Sequence, residues 1–294
     1  MPSLQDIKRR TKSVNSIKQI TNAMDMIANS RMRHAKEVAT ANKPYADKVR
    51  EVVNEIAVNV GGDFSHPLLD RHEDGHRLVL VMAADKGLAG AYNSNACKEA
   101  LNSIVDKANT EIVVIGRKPR DFFKRRGYNV TGEYTGFSEK PSFYKAREVA
   151  MDLIGRFKAG NISDVQMVYT RFVSALTCVP ETVQILPFTK ADDAAGADVK
   201  DGTEEGRLHT EYIYEPSAEE VLGFMLPQYV YTTVYAALLQ SAASELSSRM
   251  NAMSSATDNA TELIAKLELY YNKVRQAGIT TEINEIVSGA EALK

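Results

Sequence analysis

Cysteine is nearly absent from this 294-residue chain: Cys97 and Cys178 lie far apart, in neither a CxxC nor a metal-ligand spacing. That argues against a disulfide framework and a zinc site, and implies a reducing compartment. Long apolar runs are missing as well, since no stretch of 18 apolar residues occurs, which excludes a membrane-spanning helix. The N-terminus is amphipathic from Leu4 onward and has no secretory core segment; its basic helix continues where a mitochondrial presequence would end at a processing site. The chain therefore reads as mature and cytosolic-facing. Net charge is only −2. Catalytic signatures are lacking too, with no GxSxG, HExxH or paired-carboxylate arrangement.

Two long amphipathic segments fill that space. The first runs from Ser3 to Val60 with only Pro44 inside it, a rod of roughly 85 Å if helical. Its expected apolar stripe passes through Leu4, Ile7, Thr11, Val14, Ile17, Thr21, Met24 and Ala28, then past Arg31 to Ala35 and Val38. The second starts after Pro216 and Ser217, a helix-start pair, and holds heptad spacing through Leu246, Met250, Met253, Thr257, Ala260, Ile264, Leu267, Tyr271 and Val274. A bend is expected near Pro227. Each stripe is too narrow for a thick core and too long to leave in water, so the ends of the chain are expected to pair as an antiparallel coiled coil. Counting 36 residues back from Val60 and 36 forward from Ser217 sets Met24 against the Arg249–Met253 region, leaving about 20 C-terminal residues unpaired.

Between the rods the period changes. Leu78–Met82 and Glu111–Ile115 are short apolar runs of the kind buried on both faces of a parallel sheet. Helices are expected over 94–108, 119–126 and 142–159, and further strands over 164–170, 182–185 and 208–215. The expected fold class is α/β: a long antiparallel coiled coil with a central Rossmann-like open α/β domain. Its divisions are an N-terminal helix at 1–60, the α/β domain at 61–216 and a C-terminal helix at 217–294. The Asp- and Gly-rich stretch 191–206 reads as a surface loop. Charge is uneven: residues 1–36 hold eight Lys and Arg against Asp6 and Asp25, while 192–220 hold ten Asp and Glu against Lys200 and Arg207.

The segment Asp85-Lys86-Gly87-Leu88-Ala89-Gly90 comes directly after the first strand, where phosphate loops sit, yet it contains neither GxGxxG nor GK followed by Ser or Thr. Gly87 and Gly90 are expected to supply a tight turn, and Asp85 with Lys86 a surface ion pair. His72 and His76 have an i, i+4 spacing in a polar linker without a third ligand. No cofactor or metal site is expected. The five methionines Met24, Met26, Met32, Met250 and Met253 suit a coiled-coil seam, or a surface that slides past several neighbours.

The N-terminal run IKRRTKSVNSIKQITNAMDMIANSRMRHA, the central AADKGLAGAYNSN and the C-terminal block from SELSSRMNAM to EIVSGAEAL resemble the gamma subunit of bacterial F-type ATP synthases. The resemblance spans the whole chain. It implies a non-catalytic central stalk turning inside a ring of three alpha and three beta subunits, with catalysis in beta. One copy per complex would stand on the epsilon subunit and the membrane c-ring, peripheral to the inner membrane on its cytoplasmic side. By motif, Met24 in ITNAM and Arg249 in SSRM match residues facing beta. Arg275, Gln276 and Thr280 in RQAGIT match polar residues that reach beta loops from the unpaired tip. Family members usually carry Ala or Ser where this chain has Gly278, so a local loosening is expected there. The competing readings are a nucleotide-dependent enzyme, which requires specific nucleotide binding by the isolated chain, and a basic coiled coil on nucleic acid, whose binding would fall steeply with salt. Neither accounts for all three blocks; no nucleic acid and no small-molecule substrate are expected.

Overall fold

The computed structural model describes residues 3–60, 65–70, 72, 75–189 and 214–292. The acidic stretch 191–206, most of the strand expected over 208–215, His209 and the glycine pair at 61 and 62 lie outside them. In chain order the elements are α1 (Leu4–Asn59), β1 (His76–Met82), α2 (Tyr92–Ser103), β2 (Thr110–Ile115), α3 (Arg117–Arg125), β3 (Asn129–Tyr134), α4 (Phe143–Lys158), β4 (Ile162–Phe172), β5 (Cys178–Leu186) and α5 (Ala218–Ala292). Two compact units divide the chain, one of residues 1–30 with 249–294, the other of residues 31–248.

The first unit is a helix pair. On α1 the positions 7, 14, 21 and 28 are buried and 4, 11, 18 and 25 half-buried, an unbroken three-four alternation. Ile7 and Val14 pack with Ala260 and Leu267 of α5, flanked by Ile264, Tyr271 and Val274. The α5 residues are those expected from the heptads. The α1 stripe needs correcting at two places: Ile17 and Met24 are 51% and 38% exposed, and Lys18 and Asp25 hold the seam positions instead. Seven-residue steps from Ile7 through Val14 and Thr21 to Ala28 fix this phase, and Lys18 at its seam position is half-buried. Met32 and Met253 are buried, whereas Met26 is 63% exposed; the methionines are split between interior and surface.

The second unit is an α/β sandwich. Its five-stranded sheet has the order β3-β2-β1-β4-β5, with β3, β2, β1 and β4 parallel and β5 antiparallel to β4. Strands β1 and β2 are buried on both faces, as their continuous apolar runs require. One face of the sheet, through Leu78, Leu80, Met82, Val113 and Ile115, meets α4, residues 49–60 of α1 and residues 222–238 of α5. The other face, through Val79, Val81, Ile112 and Val114, meets Cys97 and Ala100 of α2 and Phe123 of α3.

Ser142 caps α4 by accepting from Lys145 N, and Ser217 accepts from Glu220 N at the start of α5. Two differences from expectation have local causes. Helix α2 ends at Ser103, because Ile104 turns extended and the Asp106 carboxylate accepts from Ala108 N, building a turn where the helix was expected to continue. Strand β3 was not expected; it is an edge strand with alternating half-burial and Gly132 inside, too polar to stand out as an apolar run. Helix α5 passes both Pro227 and Gly278 unbroken.

Candidate functional site

Three features of the chain carry exposed or unusually organised groups. The first is the end of α5. From Arg275 to Glu291 every side chain is exposed, a helical tail of about 25 Å. The seam register accounts for this. Thr21 and Thr257 face each other at 2.8 Å between hydroxyl oxygens; their numbers sum to 278, so Val274 lies level with Leu4, where α1 begins. Nothing of α1 remains to cover α5 beyond that point. Arg275, Gln276 and Thr280 sit together on the first two turns of this tail, and the Thr280 hydroxyl donates back to the Gln276 carbonyl at 3.0 Å. Ile279, Ile283, Ile286 and Val287 are 46 to 69% exposed there. Sequence motifs found the polar residues and missed the isoleucines, although their four-three spacing is legible.

The second feature lies on α1. Ile17, Ile20, Met24 and Ile27 step by three, four and three, and all are exposed. They form an apolar stripe beside the seam, where a soluble monomer would place polar residues. The same register sets Met24 level with Ser254, five residues or about 7.5 Å from Arg249 along the helix. Arg249 is half-buried. The five expected residues thus fall into two groups on this helix pair: Met24 with Arg249, and the tail residues, which begin about 40 Å beyond Arg249 along α5.

The third is the loop after β1. Asp85 and Lys86 do not pair with each other, contrary to expectation. The Asp85 side chain is 7% exposed. It accepts from Arg117 N at the start of α3 (3.3 Å), from Gly136 N (2.8 Å) and from Ser138 N (3.4 Å), while its own N–H donates to the Ser138 hydroxyl. These are the backbone donors at the carboxyl ends of parallel strands that would cradle a phosphate; here an internal carboxylate occupies them. Gly116, with φ of 104°, lets the chain cross Ala83 and Ala84 so closely that a Cβ would meet the Ala83 carbonyl at 2.4 Å. Leu88 holds a left-handed φ of 62° and is 62% exposed. Lys86 instead reaches Glu139.

Among the described residues no group of three His, Cys, Asp or Glu side chains is placed to hold a metal ion, and no helix is long and apolar enough to cross a membrane. His66 accepts a hydrogen bond from Leu68 N at its Nδ1; burial, with the nearby Lys158 charge, holds its pKa below the ordinary histidine value.

One chain thus carries a helix pair with a bare tail and a doubly wound sheet whose loop after β1 is held by its own Asp85 carboxylate. The family model described as ATP synthase matches residues 3–293. The gamma chain of Desulforamulus reducens ATP synthase is 43% identical over the full length of both chains, and the sodium-ion-specific gamma chain of Acetobacterium woodii is 41% identical over 99% of each. A solved chain in the Euglena gracilis mitochondrial ATP synthase, in a structure of OSCP, F1 and c-ring, shares the fold with a TM-score of 0.66 at 17% identity, covering 99% of this chain and 94% of that one. This chain belongs to the ATP synthase gamma-chain family.

Proposed function

We propose that this chain is the non-catalytic rotor shaft of an F-type ATP synthase, turning inside an alpha3beta3 ring and coupling ion flow through a membrane c-ring to catalysis in beta. The observation that carries this reading is the tail from Arg275 to Glu291, helical and exposed on every side. Most helical stability in proteins comes from tertiary packing of an apolar face, which this tail lacks within the chain, and enclosing each of its exposed isoleucines would contribute up to about 1.5–3 kcal/mol. A ring with a central bore supplies that enclosure from all sides at once. Arg275, Gln276 and Thr280 then meet beta loops at particular rotor angles, and Met24 with Arg249 meets beta lower on the shaft. The apolar stripe of Ile17, Ile20 and Ile27 around Met24 supports a contact there that is greasy more than ionic, suited to a surface that must slide.

The same reading divides the chain at residues 60 and 217 into two helical limbs and an α/β foot. The foot stands on the epsilon subunit and the c-ring, at the cytoplasmic side of the inner membrane, with one copy per complex. The test is reconstitution. The isolated chain should hydrolyse no ATP, and adding it to an alpha-beta mixture should restore coupled turnover. ATP hydrolysis by the isolated chain, abolished by changing Asp85 or Lys86, would overturn the assignment.

A further inference from the structure

The burial that holds an apolar helix seam together is non-directional, so its resistance to twisting comes from interdigitated packing, to which a hydrogen-bonded ion pair adds a preferred geometry. A shaft that carries torque therefore gains from oriented contacts where a helix meets the body that turns with it. Among the described residues of the unit 31–248, α1 makes such contacts near both ends of its run: Asn59 Nδ2 donates to the Tyr214 hydroxyl at 3.3 Å, and at residue 31 Arg31 Nη1 donates to Glu139 Oε2 at 2.8 Å. The other carboxylate oxygen of Glu139 accepts from Lys86 Nζ at 3.2 Å. The Glu139 side chain is only 16% exposed.

Glu139 stands on a fixed base. Its loop, between β3 and α4, is held to the β1 loop by the bonds from Gly136 N and Ser138 N to Asp85, and by Asp85 N to the Ser138 hydroxyl. Asp85 is in turn tied to α3 through Arg117 N. The ends of three adjacent strands, β1, β2 and β3, are thereby linked to a single carboxylate that grips α1. A hydrogen-bonded ion pair fixed at both oxygens has a preferred geometry, which burial alone lacks.

We propose that Glu139 is a positioning residue for rotary coupling: through Arg31 and Lys86 it adds an oriented hold on α1 at residue 31, remote from the core packing of Val49, Val53, Ile56 and Ala57 that already joins this helix to the α/β unit. This rests on the rotor reading above. Arg31 is half exposed, and pairs of that kind contribute little to stability, so the contact should register in coupling and not in folding.

The experiment uses the assembled enzyme in vesicles, reading the coupling ions pumped per ATP hydrolysed, with protons and sodium followed in parallel, alongside the melting temperature. Glu139→Gln should leave melting and ATP hydrolysis near wild type, since an exposed pair contributes little to stability, while pumping per ATP falls measurably below wild type. Reversing all three charges, with Arg31→Glu, Lys86→Glu and Glu139→Arg together, should restore most of it. If Glu139→Gln fails to assemble, Arg31→Gln, which disturbs no backbone bond, must show the same loss. Undiminished pumping per ATP in an assembled Glu139→Gln or Arg31→Gln enzyme overturns the proposal. Failure of the rotor reading itself is distinct, because the wild-type chain would then support no coupled pumping.

Discussion

The hydroxyl oxygens of Thr21 and Thr257 lie 2.8 Å apart, joining residues separated by 236 positions in the chain. Each hydroxyl also lies within bonding distance of a carbonyl of its own helix, Lys18 O for Thr21 and Met253 O for Thr257. One proton can cross the seam while the other stays at home, so both side chains are satisfied. Replacing Thr21 alone by Val removes the bond across the seam while Thr257 keeps its bond to Met253 O, and should cost about 1 kcal/mol, so that changing both to Val costs less than the sum of the two single changes. Chemical denaturation of the two single variants and the double variant measures the coupling. Equal, additive losses would mean that the pair does not bond.

Because this pair sets the register, it also sets where cover for α5 ends. The tail residues Arg275 and Gln276 should matter for turnover but not for folding of the chain. Replacing both with Ala should leave the melting temperature of the isolated protein unchanged and lower coupled activity in the assembled enzyme, each lost charged contact costing about 1.5–3 kcal/mol where it forms. Wild-type rates would remove these residues from the contact surface.

Cys97 is buried between α2 and the sheet, and burial pushes its thiol up to about 12. It should resist maleimide near neutral pH in the folded chain and react fully on denaturation. Modification counted by mass on the Cys178→Ser background checks this; rapid labelling of the native protein would contradict the packing of α2.

His66 is held below the ordinary histidine pKa of 6.5, chiefly by burial and then by Lys158. The folded state therefore binds fewer protons than the unfolded chain below that value. Its contribution is fully present above pH 6.5 and is lost as pH falls through the folded pKa, with the bond from Leu68 N lost on protonation. Melting temperature measured from about pH 7.5 down to about pH 5 should fall more steeply for wild type than for His66→Asn. Parallel curves would show that His66 titrates alike in both states.

Much of this was legible in the chain. Both rods follow from spacing, the start of the second also from Ser217, and the counted register, Met24 against Met253 with a sum of 277, differs by one residue from the 278 set by Thr21 and Thr257. The α5 heptads named every seam residue. On α1, hydropathy prefers Ile17 and Met24 to Lys18 and Asp25, and only the seven-residue phase of its neighbours decides otherwise; the preference hid an exposed stripe inside an imagined seam. Strand β3 escaped because an edge strand needs no apolar run. Asp85 was read beside Lys86 because they adjoin in sequence, while its real partners, Arg117, Gly136 and Ser138, are 32 to 53 positions away.

The central claim is rotation. With beta subunits fixed to a surface and a bead attached through a cysteine introduced at Lys140, ATP should drive the bead in one direction, in steps of one third of a turn. ATP hydrolysis at full rate with a stationary bead would contradict the account.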